Sequence, residues 1–329
     1  MDLLSEEQLT RWKEEGYLIV PSFFSNEETA EMLGEARRLL DEFDPTGHPM
    51  TTFKTAADGE HVGDDYFLNS GDKVRDSLLS YARSHAGFGD RDPRSQSKLA
   101  ADIGYFLEPS SLSPATDSSP SQLLVPPAQS INKIGHALAV LNPVFRKYTL
   151  ENERMRQVAK DLGEQEDPRV LQSMVICKQP RIGGRAVPCH NDSTFLYTDP
   201  PSAIGAWIAL EECTPQNGCL SFLPGSHKIS RTHQRFVRHP SGKGTTFIDV
   251  EGVEPNEEKW DEMDGWKEAT CPAGTLVLIH AISTDRMGDT VVGSVMHKSP
   301  PNPSDKSRLI YTFHMIEGGK GFVYDEKNW

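Results

Sequence analysis

His190 and Asp192 are the residues whose types and spacing best suit chemistry, and they lie in the stretch 188–195, PCHNDSTF. Because they are two residues apart, their side chains share one face of a β-strand or of its end. An imidazole and a carboxylate on one face supply two of the three ligands of a facial triad. Such a triad binds non-haem Fe(II) and leaves positions open for a co-substrate and oxygen. An H-x-D triplet alone is common among surface residues, so the interpretation depends on what the chain adds downstream.

Two downstream histidines are candidates for the third ligand. His280 follows the strand-like run GTLVLI at 274–279, and His297 lies in the stretch GSVMHKS at 293–299. Arg308 comes eleven residues after His297 and begins another strand-like run. A 2-oxo acid that chelates iron leaves its far carboxylate to be bound, and arginine offers a planar, bidentate fork for it. The residues alone leave both histidines open as ligands, and leave Arg308 open as a structural ion pair.

The composition limits the partners. The chain has 329 residues and a net charge of −14, which argues against nucleic acid or an anionic membrane surface as a partner. It contains no apolar stretch of about 20 residues, and its first residues are acidic, unlike a signal peptide. The five cysteines form no C-x-x-C pair, so neither a disulfide framework nor a zinc ribbon is indicated. We therefore expect a cytoplasmic protein whose partner is neither nucleic acid nor a membrane.

The chain pattern changes near residue 168. Before it, capping-box signals predict helices at 5–15 and from 25 to 43, a further helix is expected at 142–160, and a strand is possible at 64–68. The segment 109–129 is rich in Ser and Pro, which predicts a mobile surface loop.

After residue 168, short β-rich runs alternate with turn signals, at 170–178, 194–197, 203–210, 219–222, 275–279 and 309–314. Frequent short strands are typical of a sandwich or jelly roll. The predicted fold is mainly β with flanking helices: a double-stranded β-helix (jelly roll, cupin-like) core with a helical N-terminal half, in a single domain over 1–329.

Taken together, these motifs resemble the phytanoyl-CoA dioxygenase family of Fe(II)/2-oxoglutarate oxygenases. The resemblance covers most of the chain and includes GYLIVP at 16–21, INKIGHAL at 131–138, HND at 190–192, WIALE at 207–211, PGSH at 224–227 and the run from 297 to 315. It implies Fe(II), 2-oxoglutarate and O2 as cofactor and co-substrates. It also implies roles for particular residues: His190, Asp192 and His297 as iron ligands, Arg308 on the distal carboxylate of 2-oxoglutarate, Lys133 and Ser299 as further co-substrate contacts, and Trp207 as a pocket aromatic.

The resemblance implies hydroxylation of an unactivated C–H bond of a small organic substrate, with release of succinate and CO2. The acyl-CoA of the family name is not expected automatically, because no cluster of Lys and Arg is clearly placed to bind its phosphates; Arg231, Arg235 and Arg238 are the nearest candidates. Insertions relative to the family are expected near 74–127 and 281–292. Two alternatives are a non-catalytic, cupin-like metal- or ligand-binding module and an oxygenase acting on a protein side chain.

Overall fold

The computed structural model describes residues 2–52, 66–68, 70, 103–115, 120–182, 186–282, 293–319 and 321–329. Its helices are α1 (Glu6–Glu15), α2 (Asn26–Asp41), α3 (Pro127–Ser130), α4 (Leu138–Leu141), α5 (Pro143–Tyr148) and α6 (Glu153–Leu162). Both predicted capping boxes are present, because Ser5 pairs reciprocally with Gln8 and Ser25 with Glu28. Within the described residues, no helix is long and apolar enough to cross a membrane.

The strands are short, as predicted, and most of them follow residue 168. They are β1 (Tyr17–Val20), β2 (Gly104–Leu107), β3 (Ile131–His136), β4 (Pro168–Lys178), β5 (Val187–His190), β6 (Ser202–Ala209), β7 (Ser221–Phe222), β8 (Gln234–Arg238), β9 (Thr245–Asp249), β10 (Lys267–Glu268), β11 (Leu276–Ile282), β12 (His297–Ser299) and β13 (Arg308–Glu317).

Two antiparallel sheets form the body of the described chain. The major sheet has seven strands in the order β1-β11-β6-β13-β4-β3-β2, and the minor sheet has four in the order β10-β7-β12-β5. A separate hairpin pairs β8 with β9. Apart from β2, β3 and β4 and the β8-β9 hairpin, strands that are neighbours in space are distant in sequence, as in a jelly roll. The predicted jelly roll with helices in the N-terminal half is therefore confirmed.

Strand β13 shows how the sequence separates core from site. Its odd-numbered residues from Leu309 to Met315 belong to the main apolar core that also contains helix residues such as Trp12. Its even-numbered residues Arg308, Thr312 and His314 line a cavity instead. Alternate residues of a strand point to opposite faces of the sheet. One strand therefore anchors the helical layer and presents polar groups to the cavity.

Several local predictions were wrong. Residues 192–194 form a 3₁₀ turn where a strand was expected from 194, because the Asn191 side chain accepts a hydrogen bond from the backbone N–H of Thr194. Residues 66–68 are helical. The expected helix at 142–160 is divided into α5 and α6, with Asn152 capping the second.

The segment 109–129 packs on the body where the structure describes it, at 109–115 and 120–129. Its two arms are joined by a hydrogen bond from Ser113 N to Gln122 O, 2.9 Å, and Leu112 and Leu123 lie against the main core. These residues thus contact the core, and the mobility of the segment stays a prediction. Of the two expected insertions, residues 71–102 and 283–292 lie outside the described residues, and β2 falls within the span 74–127.

Candidate metal centre and co-substrate pocket

The minor sheet brings together His190, Asp192 and His297. His190 ends β5 and lies opposite His297, the first residue of β12, in the antiparallel register. Asp192 begins the 3₁₀ turn that follows β5. The Oδ1 atom of Asp192 lies 3.8 Å from Nε2 of His190 and 3.6 Å from Nε2 of His297. The three ligand atoms all lie within 4.8 Å of one another, a spacing at which one ion can bind all three.

Backbone carbonyls fix the tautomers of both imidazoles. Nδ1 of His190 lies 2.8 Å from the carbonyl oxygen of Pro188, and Nδ1 of His297 lies 3.2 Å from that of Val295. Because a carbonyl oxygen only accepts, each Nδ1 carries the proton and donates it. Each Nε2 therefore holds a lone pair towards Asp192, as in metal-bound histidines whose outer nitrogen is hydrogen-bonded.

The charge states also suit a divalent ion. Burial, with a contribution from neighbouring His297, lowers the pKa of His190 to about 4, so this imidazole is neutral at pH 7. Burial raises the pKa of Asp192, but the adjacent imidazoles of His297, His314 and His190 together lower it by more. The pKa of Asp192 therefore lies well below its ordinary value. A neutral His190 and an ionised Asp192 suit the donor set of the facial triad.

His280 lies away from this group. Its ring packs against Trp12 with centroids 5.0 Å apart, and its Nε2 lies 3.5 Å from Oε1 of Glu164. Its Nδ1 is bonded to the carbonyl of Gly293. Among the described residues, the structure thus brings His297 rather than His280 to Asp192.

Two neighbours of Asp192 were missed in the sequence analysis. Nε2 of His314 lies 3.4 Å from Oδ2 of Asp192, while its Nδ1 lies 3.3 Å from the amide nitrogen of Gln172. On the other side, a Cβ added to Gly205 would lie 3.1 Å from the same Oδ2, so glycine leaves room for the carboxylate. His314 and Arg308 are an even number of residues apart on one strand, so they share a face; this spacing could have identified His314 from the sequence.

A cavity of about 430 Å³ contains the triad and every other residue predicted for the site. Lys133, Trp207, Ser299 and Arg308 all line it. Arg308 is only 2% exposed, and its guanidinium carbon lies 5.8 Å from the centroid of the Trp207 ring. The Ser299 hydroxyl donates to the carbonyl of Gly218 at 2.9 Å, which leaves its oxygen able to accept.

The cavity is rich in buried basic side chains. Burial lowers the pKa of Lys133 to about 7, and burial together with the charge of Arg308 lowers the pKa of Lys178 to about 6. Burial also lowers the pKa of Arg308. Lys178, which the sequence analysis missed, donates to the carbonyls of Ser299 and Pro300. Asp192 is the one acidic side chain among the described residues that line the cavity, so the surplus of basic side chains favours an anionic ligand.

The comparisons with known proteins decide the family. The family model for phytanoyl-CoA dioxygenase matches residues 12–310. The chain belongs to the phytanoyl-CoA dioxygenase family. Phytanoyl-CoA dioxygenase domain-containing protein 1 of Rattus norvegicus is 37% identical over 100% of this chain and 95% of its own length. The Caenorhabditis elegans homolog of that protein is 35% identical over 97% of this chain and 93% of its own.

Solved structures of low sequence identity share the fold. The epimerase SnoN in complex with Fe3+, alpha ketoglutarate and nogalamycin RO has a TM-score of 0.55 and 14% identity, over 98% of this chain and 87% of its own. EctD from S. alaskensis with 2-oxoglutarate and 5-hydroxyectoine has a TM-score of 0.51 and 19% identity, over 95% and 76%. Family membership and the His-Asp-His group confirm the predicted enzyme class, a non-haem Fe(II)/2-oxoglutarate-dependent dioxygenase.

Proposed function

We propose that this dioxygenase hydroxylates an unactivated C–H bond of a small organic substrate and releases succinate and CO2. The observation that carries the proposal is one buried cavity holding both the His-Asp-His group and Arg308. The first binds a metal on one face, and the second binds the far end of a dicarboxylate. Their coexistence in one cavity is what 2-oxoglutarate chemistry requires.

Each residue has a defined task in this proposal. His190 and His297 donate their Nε2 lone pairs and Asp192 its carboxylate to Fe(II), on the geometry described above. When bound, the iron and 2-oxoglutarate supply the oxidising chemistry towards O2. Arg308 holds the distal carboxylate through its guanidinium fork. Lys133 adds positive charge on the same side of the cavity, where its burial strengthens the attraction.

Two remaining residues shape the co-substrate site. Ser299 ends β12 in the cavity lining, where its hydroxyl donates to the carbonyl of Gly218, and Trp207 covers the guanidinium of Arg308 with its ring. Both are nearly completely buried. Together they keep water away from the bound carboxylate, which strengthens its ion pair.

A small substrate is favoured over a coenzyme A thioester by the charges around the cavity. Arg235 is bonded to Asp325 at 2.6 Å, and Arg238 donates to the carbonyl of Leu68 at 3.4 Å. Neither lines the cavity, whose lining cations among the described residues are Lys133, Lys178 and Arg308. Arg308 and Lys133 serve the co-substrate in our proposal and Lys178 donates to backbone carbonyls, so the phosphates of coenzyme A have no evident binding site. The cytoplasmic location stays a prediction.

Succinate formation tests the proposal. The protein is loaded with Fe(II) without oxygen, given 2-oxoglutarate and O2, and assayed for succinate with and without a panel of small hydroxylatable compounds. Turnover stimulated by a panel member, and lost in Asp192→Ala, is expected. Asp261→Ala is the matched control, because Asp261 is an exposed carboxylate paired with Lys298. Binding of iron and 2-oxoglutarate with no succinate under any condition would favour the non-catalytic module.

A further inference from the structure

His136 lines the same cavity and has an unused hydrogen-bonding atom. Its side chain lines the cavity and is only 2% exposed. Among the described residues, its Nε2 has no hydrogen-bond partner. Leaving a buried polar atom unpaired destabilises the folded protein. A bound ligand with a complementary group would remove that destabilisation.

The tautomer of His136 follows from its other nitrogen. Nδ1 lies 2.8 Å from the hydroxyl oxygen of Ser70, and that hydroxyl in turn lies 2.6 Å from the carbonyl oxygen of Phe67. The carbonyl cannot donate, so the single hydroxyl proton of Ser70 is directed to it. Nδ1 of His136 must then donate to Ser70, which leaves Nε2 as a bare acceptor. Burial, with the charge of Lys133, lowers the pKa of His136 well below its ordinary value and keeps the ring neutral.

An aromatic wall connects the metal end of the cavity to His136. We define it as Phe195, Phe236, Trp329 and Phe67, all of which line the cavity. Phe195 lies 5.8 Å from the ring of His190 and 5.7 Å from that of Phe236, centroid to centroid. Trp329 lies 6.0 Å from Phe236, stacks on Phe67 at 4.7 Å, and stands edge-on to His136 at 5.0 Å.

The separation suits a small molecule. His136 pairs with Ser173 on β4, and Ser173 pairs with Phe313 on β13, next to His314. Two inter-strand spacings, about 10 Å, therefore separate the backbone of His136 from the strand that contacts Asp192. A ring system of moderate size spans that distance.

We propose that Nε2 of His136 accepts a hydrogen bond from a hydroxyl or amide N–H of the substrate, whose flat or ring-shaped apolar body lies along the aromatic wall. The inference rests on the proposed function, since it places the substrate in that site. A neutral donor is preferred over an ammonium group, because no carboxylate of the described residues other than Asp192 lines the cavity and Lys133 lies nearby. His136 thus selects the substrate and positions it.

A matched pair of probes tests the acceptor. The protein loaded with Fe(II) and 2-oxoglutarate, without oxygen, is titrated calorimetrically with 2-naphthol and with 2-methoxynaphthalene, which has nearly the same shape but no donor. We expect the wild type to bind 2-naphthol roughly tenfold more tightly, since one hydrogen bond contributes about that factor. His136→Leu should reduce the ratio to about one. His136→Gln, whose side-chain carbonyl accepts, should restore part of it, which a merely structural role would not do.

The control is Phe236→Leu, which alters the wall but leaves the acceptor, and should weaken both probes equally. A ratio that is the same in the wild type and in His136→Leu would overturn the inference. Binding of neither probe to the wild type would overturn it as well. Calorimetric binding of 2-oxoglutarate is measured first in each variant. If the wild type does not bind 2-oxoglutarate, the result counts against the proposed function. If it binds 2-oxoglutarate but shows no preference for 2-naphthol, the result counts against the role of His136 alone.

Discussion

Replacing Arg308 by lysine tests the co-substrate site most sharply. The residue begins β13, is 2% exposed, and lies in register with Lys178 on β4. Among the described residues its Nε has no hydrogen-bond partner, although the group is buried. A buried guanidinium without a carboxylate is costly, so a dicarboxylate that enters the cavity gains a strong, bidentate pair.

The expected magnitude follows from the geometry of the two side chains. Lysine keeps the charge but replaces the planar fork with a point donor on a shorter, flexible stem. The loss of one hydrogen bond to a charged group is worth roughly 1.5–3 kcal/mol. The dissociation constant for 2-oxoglutarate should therefore rise roughly 10- to 150-fold in Arg308→Lys.

Calorimetry without oxygen provides the assay. The Fe(II)-loaded protein is titrated with 2-oxoglutarate and with 2-oxopentanoate, which keeps the chelating end but lacks the distal carboxylate. Arg308→Lys should weaken the first and leave the second unchanged. Arg235→Lys is the control, because Arg235 is equally a buried arginine, is bonded to Asp325, and lies outside the cavity lining. An unchanged affinity for 2-oxoglutarate, or an equal loss for both acids, would refute the assignment of Arg308.

Three further predictions concern the metal, the buried lysine and pH. Asp192→Ala should lose Fe(II) and succinate formation, whereas His280→Ala should keep both; metal analysis after desalting checks this, and the reverse pattern would overturn the choice of His297. Because the pKa of Lys133 is lowered to about 7, binding of a dianion near pH 8 should draw a proton into the cavity. Calorimetry in buffers of different ionisation enthalpy should detect this uptake and find it reduced in Lys133→Met; equal uptake would assign it elsewhere. Burial lowers the pKa of His227 to about 4, so the unfolded chain binds its proton at higher pH than the folded chain does. Stability should therefore be lost as pH falls from about 6.5 to about 4, by at most about 3 kcal/mol, and His227→Leu should flatten this slope in urea unfolding.

Local patterns predicted what local physics decides. The capping boxes of α1 and α2 involve residues three apart, so the sequence displays both partners. The same holds for His190 and Asp192, which are two residues apart and lie together at the end of β5. Alternation along β13 likewise follows from the strand itself, and it puts Arg308 on the cavity face.

Long-range pairing decided what the residues alone left open. His280 lies in the more apolar strand, β11, yet that strand belongs to the major sheet and directs His280 to Glu164. His297 reaches the metal group because β12 pairs with β5 in the minor sheet, a pairing that no short window of sequence displays. Lys178 was missed for the same reason, since its position beside Arg308 depends on the pairing of β4 with β13.

The two ends of the cavity are built on different physics, and this separates affinity from selectivity. At one end Lys178 and Arg308 are buried together, and Lys133 lies on β3 between them and His136; a dianion of the right length offsets the cost of burying these basic groups. At the other end the aromatic wall carries no charge, and His136 adds one directional acceptor. Affinity for the co-substrate thus depends on Coulombic terms that are insensitive to the wall. Discrimination among substrates depends on the shape of the aromatic wall and on one hydrogen bond to His136, and neither involves the basic side chains that bind the co-substrate. It follows that substitutions in the wall change which compound is hydroxylated without changing the dissociation constant for 2-oxoglutarate, and that charge-removing substitutions at the other end do the reverse.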